Sequence, residues 1–215
     1  MRSKKGNFLK LPKPWLSHSQ MSLWKRDKEK YRARYYQNEK DPDNVFSLFG
    51  RETHSLLETK KNLAHIPRFS VPELEIKVTI AGVPVLGYID SFAPKRRSFI
   101  DFKTGIRFPD GSPRWTQLEV EKSDQLPLYS LLIQEKYGRV YPVCKLIWLE
   151  TRFKPQKERI GSRVIEGEGN ELELTGYYKV FRRVIEDWER ENARKEVVRT
   201  AKEISADYKH WLSKK

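Results

Sequence analysis

Gly87-Tyr-Ile-Asp-Ser-Phe-Ala-Pro-Lys-Arg-Arg-Ser-Phe-Ile-Asp-Phe-Lys-Thr-Gly105 reads as two β-strands joined by a basic turn. Side chains alternate along a strand, so Asp101 and Lys103 share one face, while Ile100 and Phe102 point the other way into apolar packing. Asp90 stands near the end of the preceding strand. An acid on one strand and acid-x-lysine on its neighbour place two carboxylates and an ammonium around one point. Carboxylates so placed repel each other unless a cation lies between them, and hard oxygen ligands favour Mg²⁺ or Mn²⁺. The lysine is then placed to orient or deprotonate a water, or to stabilise charge at a phosphate.

Outward from this pair, Leu74, Ile76, Val78 and Ile80 alternate as in a half-buried strand. Ala81-Gly82 is a tight turn, and Val83 to Phe92 is the hairpin partner that delivers Asp90. Upstream, a helix is expected from Val45 to Asn62, with Gly50, His54 and Glu58 on one face and Phe49, Leu56 and Leu57 on the other. Lys40-Asp-Pro-Asp-Asn44 separates it from an earlier helix, capped by Ser17 or Ser19 and carrying Met21, Leu23, Trp24, Tyr31 and Tyr35. Residues 1–16 form a basic, proline-containing lead-in. Downstream, residues 105–118 are a loop bearing Arg107, Arg114 and Trp115. These residue types suit phosphate contact and base stacking, although Trp115 equally suits anchoring the loop to the core. A helix from Leu118 to Tyr137, kinked at Pro127, precedes a strand from Lys145 to Phe153. Arg163–Glu166 and Glu171–Leu174 predict a hairpin around Gly167-Glu-Gly-Asn170. From Tyr177 the positions of Val180, Phe181, Val184, Ile185 and Trp188 predict a helix, with a separate one after about Asn192.

The chain has 215 residues and suits one domain: a core over 45–153, a helical lead-in over 1–44, and a hairpin and long helix over 154–215. Its 43 Lys and Arg against 29 Asp and Glu give a net charge of +14, which favours a polyanionic partner, nucleic acid before membrane. One cysteine, Cys144, excludes an intrachain disulfide, and its setting at a strand start predicts burial. No apolar run is long enough to span a membrane, and the basic N-terminus lacks the apolar segment of a secretory signal, so an intracellular, cytoplasmic location is expected. His18, His65 and His210 have no partners in pattern and are expected at the surface.

Gly50-Arg-Glu-Thr-His54, Gly87-Tyr-Ile-Asp90, Asp101-Phe-Lys-Thr-Gly105 and Gln125-Leu-Pro-Leu-Tyr129, in that order, resemble the PD-(D/E)xK nuclease superfamily and, more narrowly, its RecB-like exonuclease branch. The resemblance covers residues 15 to 153. It implies an α/β, restriction-endonuclease-like core of helix, three strands, helix and strand: a mixed sheet flanked by helices, with N- and C-terminal helices added. It implies a Mg²⁺- or Mn²⁺-dependent deoxyribonuclease, held to its ion by His54, Asp90, Asp101 and the Phe102 carbonyl. Asp90, Asp101, Lys103, Gln125 and Tyr129 would form the catalytic set, the last two touching the lysine, the substrate phosphate or both. DNA, single- or double-stranded, is the expected partner, with room for a helicase or recombination protein. An endonuclease on the same fold and a nucleic-acid-binding module without catalysis are the alternatives. Asp27 stands about where iron–sulfur members of the branch carry a cysteine, and a carboxylate does not replace that thiolate, so no cluster is expected.

Overall fold

The computed structural model describes residues 9–40, 42, 44–59, 65–160 and 163–214, without the side chains of 156–160 and 163–168. Five strands lie in the order β1 (Val71–Ile80), β2 (Val83–Ala93), β3 (Ser98–Gly105), β4 (Val143–Ile160) and β5 (Arg163–Val184). All neighbours are antiparallel except β3 and β4, which run parallel because the chain crosses over between them. That crossover carries α4 (Gln117–Lys122) and α5 (Gln125–Tyr137). The other helices are α1 (His18–Arg26), α2 (Lys28–Tyr36), α3 (Val45–Thr59) and α6 (Asp187–Ser213).

The apolar alternation of the strands sorts these helices into two layers. On one side Leu57 of α3 packs with Ile100, Phe102, Ile147 and Leu149. On the other, α1, α2, α5 and α6 bury Trp24, Tyr31, Leu128, Leu131 and Ile204 against Ile76, Val85, Ile89 and Phe99. Cys144 is buried at the start of β4, as its sequence setting predicts. The result is the expected mixed sheet flanked by helices, in the order helix, three strands, helix, strand. Among the described residues no helix is long and apolar enough to cross a membrane.

Four elements differ from the sequence-based expectation. The first helix is two, because Asp27 is extended: its N–H still donates to Leu23 while its side chain accepts the N–H of Lys30 and so caps α2. Pro127 does not kink a long helix. The chain breaks at Ser123–Asp124 and Pro127 falls in the first turn of α5, where an absent N–H costs nothing. The expected turn at Gly167–Asn170 lies inside β5, where the Gly167 backbone pairs with Gln156, so the reversal falls before Arg163. Finally, 177–184 is strand, and α6 then runs unbroken to Ser213. The helical reading failed there because Arg183 is buried while Val180 and Val184 are exposed, which hides the two-residue period. Arg183 is stabilised inside by the carbonyls of Val120 (2.6 Å) and Ser123 (2.8 Å) and by Glu189. The predicted end of the α3 helix, at 60–62, lies outside the described residues.

One contact fixes α5 over the sheet. A Cβ added at Gly87 would stand 2.5 Å from Leu132 Cδ1 and 3.5 Å from the Tyr129 ring, so a larger residue requires Leu132 to shift. Leu132 is fully buried, so that shift repacks the core around it. Gly87→Ala is therefore expected to lower unfolding stability by about 1–3 kcal/mol, the usual cost of overpacking, measured as a shifted urea midpoint at unchanged slope.

Candidate functional site

The β2–β3 ladder holds only from Ala93↔Ser98 to Ser91↔Ile100. Beyond it the strands part, and the backbone N–H of Phe102 needs another acceptor. Asp90 supplies it, its Oδ2 accepting that N–H at 2.7 Å. The other oxygen, Oδ1, faces His54 Nδ1 of α3 at 3.4 Å. Burial disfavours a charged imidazole, but the Asp90 hydrogen bond and the charges of Asp90 and Asp101 outweigh it and hold the His54 pKa above its ordinary value.

Across the gap, Asp101 is 2% exposed. Lys103 donates to its Oδ1 at 3.2 Å and lies 2.9 Å from Oδ2 without a hydrogen-bonding angle, so Oδ2 has no donor of its own. The same ammonium donates to Gln125 Oε1 at 2.9 Å, and Gln125 Nε2 donates to the Tyr129 hydroxyl at 2.7 Å. Gln125 and Tyr129 sit one turn apart at the start of α5, so the helix presents both to the strand end. Burial pushes the Asp101 carboxyl up, against the pull of Lys103. Burial works against the Lys103 charge too, yet Asp101 and Asp90 hold its pKa up, which favours the protonated lysine. Burial and the charge of Asp101 likewise raise the Tyr129 phenol, which stays protonated.

Among the described residues no three His, Cys, Asp or Glu side chains converge as they would around an ion. The donor set nevertheless suits a hard cation. It offers two carboxylates on parted strands, the Phe102 carbonyl between them, and a buried Asp101 oxygen with open lone pairs. Glu58, on the His54 face of α3, turns instead to Glu73 of β1, a residue the sequence did not single out. Their hydrogen bond, burial and the negative charges of Glu58 and Asp90 push Glu73 up to about 7. Its only sequence signal was a polar residue at the start of an alternating strand.

The loop after β3 divides its residues between anchoring and exposure. Arg107 is committed to the protein: it pairs with Glu150, donates to the Gly111 carbonyl at 3.1 Å, and lies over the rings of Trp148 and Tyr177. Glu150 is in turn held by Thr175, whose hydroxyl donates to it at 3.0 Å. Among the described residues no hydrogen bond or ion pair holds Arg114, which stacks over Phe108, 4.9 Å from the ring centroid. Trp115 packs partly on the main core, the anchoring use weighed from sequence, and also lines a cleft. That cleft, of about 600 Å³, runs from Lys103 and Gln125 past Arg114, Trp115 and Lys122 to His18. His18 is thus no ordinary surface residue. Its Nε2 meets Asp124 Oδ1 at 2.9 Å, directly before Gln125 in the chain. Nothing at short range in the sequence marks that contact.

No protein-family profile matches the chain, and no curated protein matches it in sequence. Solved structures do match in fold. An alkaline exonuclease from Laribacter hongkongensis superposes with a TM-score of 0.52 at 14% identity, over 93% of this chain and 92% of that one. A phage-related exonuclease from Haemophilus somnus gives 0.54 at 13% identity, over 87% and 81%. A third structure, from Eubacterium rectale, gives 0.53 at 11% identity, over 95% and 88%. The α/β architecture is therefore the restriction-endonuclease-like fold on which those exonucleases are built.

The Glu58–Glu73 pair has a signature in pH. A folded-state pKa raised from 4.5 to about 7 means that the native chain binds this proton more tightly than the unfolded one. Stability from this group is complete below the unfolded value and is lost as pH rises towards 7. In metal-free buffer, Glu73→Gln is expected to remove that decline. Urea midpoints at pH 5 and pH 8 should differ less in the variant than in the natural chain.

Proposed function

We propose that the chain is a metal-dependent deoxyribonuclease that hydrolyses phosphodiester bonds from DNA ends, with Mg²⁺ or Mn²⁺ as its ion. The observation that carries this reading is the buried Asp101–Lys103–Gln125 relay beside Asp90, set where the sheet parts and where a cleft with Arg114 and Lys122 begins. The fold it shares with exonucleases supports attack at ends rather than within the duplex.

Asp90, Asp101 and the Phe102 carbonyl would hold the cation, with His54 completing the set. Such an ion supplies a water of lowered pKa and polarises the phosphate. The remaining work falls to the side chains. Lys103, kept protonated by two carboxylates, stabilises charge that accumulates on the phosphoryl oxygens. Gln125 aims the ammonium, and Tyr129 holds the Gln125 amide so that its oxygen, not its nitrogen, faces the lysine. Cations along the cleft neutralise the DNA backbone, and Trp115 offers a face to a base.

The two strand residues separate in experiment. Asp101→Asn removes an anionic ligand, so calorimetric Mg²⁺ titration should show weaker binding and cleavage should collapse. Lys103→Ala should bind the ion and DNA but cut about 10²–10³ times more slowly, because charge stabilisation is gone. End-labelled linear DNA and a covalently closed circle are the substrates, and only the linear one should be consumed. Near-normal cleavage by a folded Lys103→Ala chain would sink the mechanism, and cutting of the circle would turn the reading to an endonuclease.

Affinity for DNA should also fall steeply with salt, since each phosphate neutralised releases counterions. Anisotropy titrations between about 50 and 200 mM salt should show a loss of tenfold or more if as few as two or three phosphates are contacted. A flat response would remove the cationic cleft from the interface.

A further inference from the structure

A second cavity, of about 350 Å³, opens between α1, α5 and α6. Met21, Pro127, Leu128 and Ala193 line it, and Trp188 stands among its walls with 64% of its surface exposed. It shares His18, Ser123 and Asp124 with the cleft that begins at Lys103, so the two spaces are neighbours across one wall.

The two differ in charge. The cleft sets Lys103, Arg114 and Lys122 against Glu119 and Asp124. The cavity is lined by more acids than bases: Arg183 meets Glu189, Lys25 meets Asp124 and Glu196, His18 meets Asp124, and Glu121 adds a further carboxylate. A phosphate gains little there, because the surplus carboxylates repel it. A flat, uncharged ring gains from the apolar lining and from the indole face, by area and by stacking. Trp188 presents its ring among the cavity walls, where a planar ligand would cover it.

We propose that the cavity takes a nucleobase of the DNA strand whose backbone lies in the cleft, stacked against Trp188. This rests on the nuclease reading above. It assigns the strand a split course, phosphates in the cleft and one base turned over the His18–Asp124 wall into the cavity.

The test is a scan of single abasic sites along end-labelled, single-stranded DNA, reading kcat/KM for release of the first nucleotide in Mg²⁺. In the natural chain one abasic position should lower kcat/KM about tenfold, the scale of one lost stacking contact. Trp188→Ala should lower kcat/KM on intact DNA by about the same factor and abolish the penalty at that position. Trp188→Phe, which keeps an aromatic face, should restore most of both. Because Trp188 is exposed, its replacement should leave the fold unharmed, which circular dichroism checks. A flat abasic scan in a chain that cuts DNA, or a penalty that survives Trp188→Ala, overturns the base subsite and leaves the nuclease reading standing. A chain that cuts no DNA overturns both.

Discussion

A carboxylate at Asp101 is 2% exposed, and a buried charge without a partner is among the costliest things a fold can contain. Lys103 is the partner, and strand alternation already sets it on the same face. An ammonium held between buried groups needs further acceptors, and the next is Gln125. The start of α5 must therefore sit at the end of β3. That places the rest of α5 across β2, close enough that a side chain at residue 87 would displace Leu132. Much of the layer packing follows from satisfying one pair of opposite charges.

The same economy of partners shapes the gap beside it. Once β2 and β3 separate, the Phe102 N–H would be orphaned, and Asp90 meets it with a side-chain oxygen. The parting thus brings a second carboxylate towards Asp101 while the Phe102 N–H keeps an acceptor. On the far side, Gly176 adopts a positive φ of 86° where the β4–β5 register slips between Leu149 and Thr151. The slip turns Thr175 towards Glu150 and Tyr177 towards Arg107. The loop is held at its base by Arg107 and Glu150, which leaves Arg114 and Trp115 to face the cleft.

Charge is distributed by function rather than evenly. A net charge of +14 says only that the chain suits a polyanion. The structure pairs many of these cations internally, as with Arg32 and Asp207, Arg183 and Glu189, or Arg194 and Glu135. Along the Lys103 cleft, Lys103 is paired with Asp101, while Arg114 has no ion pair among the described residues. Counting charge therefore overstates the electrostatic surface, and the location of unpaired cations matters more than their number.

The sequence by itself determined the order of elements around the site and the chemistry of its centre. Alternation over Leu74–Ile80 and Ile100–Lys103 is a local property, and so is the one-turn spacing of Gln125 and Tyr129, so both were legible without neighbours. Local reading failed where burial contradicted polarity, as at buried Arg183 between exposed Val180 and Val184, or where one residue served two elements, as Asp27 does. Tertiary structure alone decided that Glu58 meets Glu73, that Arg107 is an anchor while Arg114 is free, and that His18 reaches Asp124 across 106 positions of sequence. Each of these is a contact between segments far apart in the chain. Nothing in the short-range pattern of either segment encodes the other, because the pairing arises only when the strands and helices have already packed.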